Sequence, residues 1–238
     1  MFMSIKQKRE GNIMGNLFDI LGPVMVGPSS SHTAGAARIG LIARQLFGCQ
    51  PDKAIVNLHG SFAATGKGHG TDKALIAGLL GMKPDDLRIP QSFEIAKELG
   101  MDFTVQPKDL RDAHPNTAEV IMECNDGKKM TMQAYSIGGG RIRVSKLDGM
   151  DVNFSGESNT LIERNIDQPG CIAEVAATLG KEGVNIATMQ VFRQARGGVA
   201  VMVVETDQVV SKELIEELGQ KKGILSVTFL DVSGAVEE

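Results

Sequence analysis

Four short runs carry most of the groups in this chain that could bind an anion or move a proton. The first is Gly27-Pro28-Ser29-Ser30-Ser31-His32-Thr33-Ala34-Gly35, where four hydroxyls and an imidazole stand between a proline and a stretch of small residues. The pattern predicts a helix that starts here with Ser31 as its N-cap. The first N–H groups of a helix lack intrahelical partners, and the helix dipole places partial positive charge at the same end. A single cap requires one serine. Three serines, a threonine and a histidine around one helix start describe a pocket for a carboxylate or phosphate.

The second run is Ser61-Phe62-Ala63-Ala64-Thr65-Gly66-Lys67-Gly68-His69-Gly70-Thr71-Asp72. It reads as a glycine-rich loop opening a helix, with backbone N–H groups turned to an anion, charge from Lys67 and a titratable ring from His69. It matches neither the phosphate-binding P-loop nor the dinucleotide fingerprint. The third, His114-Pro115-Asn116-Thr117, holds a histidine extended before proline; taken alone it is a turn before a strand. The fourth, Ser136-Ile137-Gly138-Gly139-Gly140, interrupts a strand pattern with three glycines, which implies close approach of the backbone to something. Three of the four histidines, His32, His69 and His114, lie in these runs, and the fourth, His59, stands just before Ser61. That distribution favours one shared polar site over scattered core histidines.

The elements that must position these groups follow from periodicity. Gly35, Ile39, Ile42 and Leu46 share one helical face, ending near Gly48. Ala54 to Ser61 is a strand running into a loop, and Asp72 to Leu80 and Ser92 to Leu99 are helices. Strands are expected over Asp102 to Gln106, Ala118 to Cys124, Lys129 to Ile137 and Arg141 to Val144. The polar stretch Asp148 to Glu157 reads as a short linker, dividing the chain into domains over 15–150 and 158–234.

Beyond the linker the order is strand, helix, strand, strand, helix, strand: a ferredoxin-like βαββαβ unit. Its first helix places Ile172, Val175, Ala176 and Leu179 on one face, and Ser211 caps its second, with Leu214, Ile215 and Leu218 inward. The whole is an α/β (α+β) chain, with a mixed α/β domain before the ferredoxin-like one.

Composition narrows the function classes. A net charge of −4, a single Tyr and no Trp argue against nucleic acid as a partner. No apolar run is long enough to span a bilayer, and the first ten residues lack the apolar core of a signal peptide, so a cytoplasmic protein with a frayed N-terminus and no membrane partner is expected. Cys49, Cys124 and Cys171 are widely spaced and odd in number, which excludes a disulfide framework and any local zinc or iron–sulfur motif. Cys124 and Cys171 read as buried structural thiols, and no metal site is expected on this chain.

From about residue 158 the chain resembles the ACT regulatory domain, through its element order and through Asp167-Gln168-Pro169-Gly170, which is similar to the D-x-P-G loop of that family. The resemblance implies a small amino-acid effector at a domain interface, held by Asp167, Pro169, Gly170 and Asn185. Taken together, the order G-P-S-S-S-H-T, G-S-x-A-x-T-G-K-G-H-G-T-D, H-P-N and S-I-G-G-G closely resembles the β chain of iron–sulfur L-serine dehydratase. The first domain is then of serine dehydratase β type, similar also to the allosteric substrate-binding domain of some phosphoglycerate dehydrogenases.

The resemblance implies a lyase, an L-serine ammonia-lyase that yields pyruvate and ammonia without pyridoxal phosphate. Its oxygen-sensitive four-iron, four-sulfur (4Fe-4S) cluster would be ligated on a separate α chain, so that this chain is active only in the heteromer. It further implies that Ser29, Ser30, Ser31 and Thr33 hold the serine carboxylate or groups near the cluster. His32 and His69 would act as acid, base or orienting groups. Ser61, Lys67 and Asn116 would contact substrate, with Gly138, Gly139 and Gly140 letting the backbone approach it. The alternatives are a non-catalytic regulatory module that binds an anion or amino acid and a standalone amino-acid sensor.

Overall fold

The computed structural model describes residues 24–232; the N-terminal start and the outermost residues of both expected domains lie outside the described residues. A π-helical turn, Ser30–Ala34, leads directly into α1 (Gly35–Phe47). Strand β1 (Lys53–Leu58) follows, then α2 (Gly60–His69), α3 (Thr71–Leu79) and α4 (Ser92–Glu98). The remaining strands of the first sheet are β2 (Asp102–Pro107), β3 (Thr117–Glu123), β4 (Lys129–Gly138), β5 (Arg141–Leu147) and β6 (Met150–Phe154). Their order is β2-β1-β3-β4-β5-β6, parallel only between β1 and β2.

Burial explains the layering. Alternate residues of β1, β3 and β4 (Ala54, Val56, Leu58; Ala118, Val120, Met122; Met132, Ala134) enter one core together with α1 and α3. Helix α1 buries not only the expected face but also Ala36, Ala37, Gly40 and Ala43, because it lies between the sheet and α3. The crossing of α1 and α3 is backbone against backbone. A Cβ on Gly78 would come within 2.1 Å of the Ala37 carbonyl, and one on Gly40 within 2.2 Å of the Leu75 carbonyl.

The second sheet comprises β7 (Asn159–Ile166), β8 (Ile186–Arg193), β9 (Val199–Thr206) and β10 (Ile224–Leu230), with α5 (Cys171–Lys181) and α6 (Lys212–Gly219). Its order β10-β7-β9-β8, antiparallel throughout, is that of a ferredoxin-like unit. Leu161, Met202 and Val204 face α5 and α6, whereas Ile162, Val201, Val203 and Leu230 join the core of the first domain. The face of this sheet that its own helices leave uncovered is therefore buried against the rest of the chain.

Four expectations need correction. The glycine-rich run is not a loop but α2 itself. Glycines 66 and 68 each weaken a helix by about 1 kcal/mol relative to alanine, yet Phe62 is fully buried and the Pro115 carbonyl takes the N–H of Ser61 at 2.7 Å. Tertiary packing overrides propensity there. The expected linker contains β6, which extends the first sheet to Phe154 because Met150, Val152 and Phe154 alternate inward. On α5 the inward face is Cys171, Val175, Thr178 and Leu179, leaving Ile172 51% exposed. Finally, Cys171 is buried, but Cys124 is only half-buried and its sulfur lies 3.4 Å from that of exposed Cys49.

Candidate active site

The four runs converge at one end of the first domain. Ser29 rather than Ser31 is the N-cap: its hydroxyl accepts from the His32 N–H (3.1 Å), and its carbonyl accepts from Thr33 and Ala34. The row of open amides expected at the helix start is thus reduced to at most those of Ser30 and Ser31. The π-turn, a feature often found at functional sites, carries the His32 ring inward. There its Nδ1 meets the Ser31 hydroxyl at 3.1 Å and its Nε2 the Ser61 hydroxyl at 3.0 Å. The Ser31 hydroxyl in turn lies 3.3 Å from that of Ser29.

Helix α2 supplies both Ser61, at its start, and His69, at its end. The His69 ring lies 5.0 Å from the His32 ring, centroid to centroid, and Phe62 stands edge-on to His32 at 5.3 Å. Buried Thr33 donates to the His69 carbonyl at 3.0 Å, fastening the end of α2 to the serine run. The His69 Nδ1 is buried without a hydrogen-bond partner among the described residues. Burial first, and the neighbouring His69 second, hold the His32 pKa below the usual histidine value, with the Ser61 backbone opposing. His32 is therefore a neutral imidazole near neutral pH. A neutral ring donates from one nitrogen and accepts at the other, so His32 links the Ser61 hydroxyl to the Ser31–Ser29 pair.

The other two runs close the cluster. The Pro115 carbonyl caps α2, and the Asn116 carbonyl accepts from Ser136 N at 3.0 Å. Gly138, Gly139 and Gly140 form the β4–β5 turn, all with φ between +62° and +88°, a conformation that L side chains rarely adopt. Their turn is tied to the serine run by Gly140 N donating to the Ser30 carbonyl at 3.1 Å. Buried Ser136 packs against Gly35, where a Cβ would come within 2.3 Å of its hydroxyl. Gly35 thus lets α1 press its start against β4.

Some expected residues are not brought into this cluster. Lys67 is exposed on another side of α2, lining a groove of about 540 Å³ with Ala63, Asp72, Phe93 and Phe103. A 200° rotation from His69 along a helix separates the two side chains. His114 is turned onto the ring of Tyr135, 4.9 Å away, and its Nδ1 accepts from Asn116 N. Phe62 and Tyr135 were not singled out from the sequence. The only signal for them was an aromatic residue beside a polar motif.

The ACT-type residues are divided. Pro169 and Gly170 line a cavity of about 380 Å³ with Gln168, Cys171, Glu174 and Lys222. Asp167 is committed to fold: its carboxylate accepts from Gly197 N (3.1 Å) and from Arg193 (2.8 Å), and these bonds hold its pKa down. Asn185 lies before β8, donating to Asp207 and Gln208, at the opposite end of the sheet from Gly170. An eight-residue strand separates those ends by roughly 25 Å, so one ACT unit does not assemble all four residues into one site.

No group of three or more His, Cys, Asp and Glu among the described residues is placed to hold a metal ion. Cys49 and Cys124 lie beyond the far end of α1 from His32, roughly 20 Å away along the helix, and Cys171 begins α5 of the ferredoxin-like unit. The donor set of this chain does not fit a 4Fe-4S cluster.

The geometry defines a two-part protein: a mixed α/β domain with a hydroxyl–imidazole cluster, packed on a ferredoxin-like unit. Residues 160–223 match the ACT domain family, and residues 16–100 match the serine dehydratase beta chain family. A probable L-serine dehydratase beta chain of Bacillus subtilis is 43% identical over 90% of this chain and 96% of its own length. The L-serine dehydratase beta chain of Peptoniphilus asaccharolyticus is 37% identical over 92% and 97%. A D-3-phosphoglycerate dehydrogenase of Methanocaldococcus jannaschii is 32% identical over 58% of this chain but only 26% of its own. The chain belongs to the serine dehydratase beta-chain family.

Proposed function

We propose that this chain acts with a separate α chain, as a heteromer in the cytoplasm, to convert L-serine to pyruvate and ammonia. The observation that carries this reading is His32, held as a neutral imidazole between the Ser61 and Ser31 hydroxyls inside a cluster built from all four motif runs. Elimination removes the Cα proton and the Cβ hydroxyl of serine, giving aminoacrylate and water, and hydrolysis of aminoacrylate gives pyruvate and ammonia. The 4Fe-4S cluster expected on the α chain would supply Lewis acidity when present.

This chain contributes positioning and proton handling. His32 can take a proton at its accepting nitrogen, through the serine hydroxyl bonded there, and return it to the hydroxide that leaves Cβ, which departs as water with the ring neutral again. His69, with its unpartnered Nδ1 beside the cluster, is the second group able to hold a proton. The Ser30 and Ser31 amides and hydroxyls would orient the substrate carboxylate, and the Gly138–Gly140 turn and Asn116 would frame its other side. Ser29 and Thr33 serve as struts, because their hydroxyls are bonded to backbone of the cluster itself. At the ACT unit, the cavity at Pro169 and Gly170 is the place for an amino-acid effector, with Glu174 and Lys222 offering charges for its amine and carboxylate.

The test is anaerobic co-expression with a cognate α chain, followed by a serine-to-pyruvate assay. The complex should be active and this chain alone inactive; pyruvate release by the isolated chain would overturn the division of labour. A second reading, a non-catalytic module that binds an anion or amino acid, draws on the phosphoglycerate dehydrogenase similarity. It requires calorimetry to show tight serine or phosphate binding by the isolated chain, and no loss of pyruvate formation when His32 is replaced.

A further inference from the structure

Cys49 and Cys124 are 75 positions apart in the chain, yet their sulfurs are 3.4 Å from each other. Backbone pairing holds the two segments in this register. Asp52 N donates to the Glu123 carbonyl at 3.0 Å, and the Asp52 carboxylate accepts from Asn125 N at 2.7 Å. Cys124 N is further fixed by the Lys128 carbonyl at 2.9 Å. Cys49 itself follows Gly48, the left-handed end of α1, and is exposed. A disulfide needs an S–S distance of about 2.05 Å, so the sulfurs must approach by about 1.4 Å. Cys49 lies two residues past the end of α1 and Cys124 one residue past the end of β3, so the approach falls on the connecting segments rather than on either element.

We propose that Cys49 and Cys124 are a reversible oxidation site, closing to an intramolecular disulfide when hydrogen peroxide reaches them. Cys49 is the attacking thiol. It is the exposed member of the pair and so the sulfur that peroxide in solution reaches first. Cys124 is the resolving thiol, its pKa raised by burial and by its bond to Cys49. In the first step the Cys49 thiolate attacks a peroxide oxygen, the O–O bond breaks, and the hydroxide that leaves takes up a proton to become water. Cys49 is then a sulfenic acid. In the second step the Cys124 sulfur attacks the Cys49 sulfur, and the S–O bond breaks. The departing hydroxide carries off the Cys124 proton as a second water. In sum two thiols and one peroxide give one disulfide and two waters; the sulfurs lose two electrons and the peroxide gains them. A thiol reductant reverses the change. Cys171, buried in the second sheet's core, takes no part.

The inference does not depend on the proposed activity. The experiment uses the full chain, reduced and purified without oxygen, exposed to a small excess of hydrogen peroxide, then denatured, alkylated and weighed intact. Alkylation should fall from three thiols to one, with a peptide joining Cys49 to Cys124, and return to three after phosphine treatment. Cys124→Ser should leave Cys49 as a sulfenic acid trapped by dimedone, and Cys49→Ser should retain both remaining thiols. Three alkylated thiols in the treated wild type, a bridge to Cys171, a bridge only between copies, or loss of Cys124 from Cys49→Ser at the wild-type rate would each overturn the proposal.

Discussion

Glu163 sits in the middle of β7, fully buried, on the same face as Leu161, and neither carboxylate oxygen has a hydrogen-bond partner among the described residues. Its neighbours across the sheet are Met202 and Val227. Burial alone pushes its pKa up from 4.5 to about 7. The folded protein therefore binds this proton more tightly than the unfolded chain does. Below pH 4.5 both states are protonated and the group has no effect on stability. As pH rises from 4.5 through 7 the unfolded chain ionises first, so stability falls, and the loss is complete above the folded-state value. A displacement of that size corresponds to about 3 kcal/mol. In a chain of this length, whose two sheets share one core, each kcal/mol moves the melting temperature by ~2–4 °C.

Glu163→Gln keeps the shape and removes the titration. The variant and wild type should be within ~1 kcal/mol of each other at pH 4.5 to 5, where the carboxylic acid and the amide are both neutral. At pH 8 the variant should be the more stable by about 3 kcal/mol. Urea or thermal unfolding of both proteins at pH 5, 6, 7 and 8 measures the difference, in which the other titrating groups cancel. Parallel curves, with a constant gap across that range, would show that Glu163 finds a partner or water in solution, and the reasoning would be wrong.

Four further outcomes follow from the site and the helix crossing. His32→Ala in the assembled enzyme should lower turnover by at least ~100-fold without releasing the partner chain; an unchanged rate removes His32 from the site. Because the His32 pKa lies below its usual value, the acid limb of the wild-type rate profile should fall below pH 6.5, and a limb centred above 6.5 contradicts a neutral ring. His69→Ala should reduce turnover on the same scale, ~100-fold, with normal co-purification, whereas full activity would make its unpartnered nitrogen incidental. Gly78→Ala, whose Cβ would lie 2.1 Å from the Ala37 carbonyl, should destabilise the chain by ~1–3 kcal/mol in denaturant titration; an unmoved midpoint would mean that α1 and α3 separate easily.

The elements of the second sheet were legible because each carries its own period: β9 is a continuous apolar run, and α6 begins with a serine that caps it. The four chemical runs were equally visible as departures from those periods. Where the reading failed, a distant contact had overruled a local preference. The Pro115 carbonyl and the buried Phe62 turn a glycine-rich segment into α2, and that helix sends Lys67 away from the histidines. The polar junction after Asp148 gains β6 because a sheet edge was there to pair with it. Asn185 parts from Asp167 because α5 carries the chain back along the sheet to the end where β7 and β8 both begin.

Residue types and their spacing were enough to identify the family, the ferredoxin-like unit and the inventory of hydroxyls and imidazoles, since all of these are properties of local sequence. Only the folded chain decided which of those groups meet. His32 lies between two serines 30 positions apart, since Ser31 and Ser61 come from separate helices packed side by side. Cys49 touches Cys124 because α1 ends beside the last residues of β3. Contacts of that kind depend on long-range packing, which no window of the sequence contains.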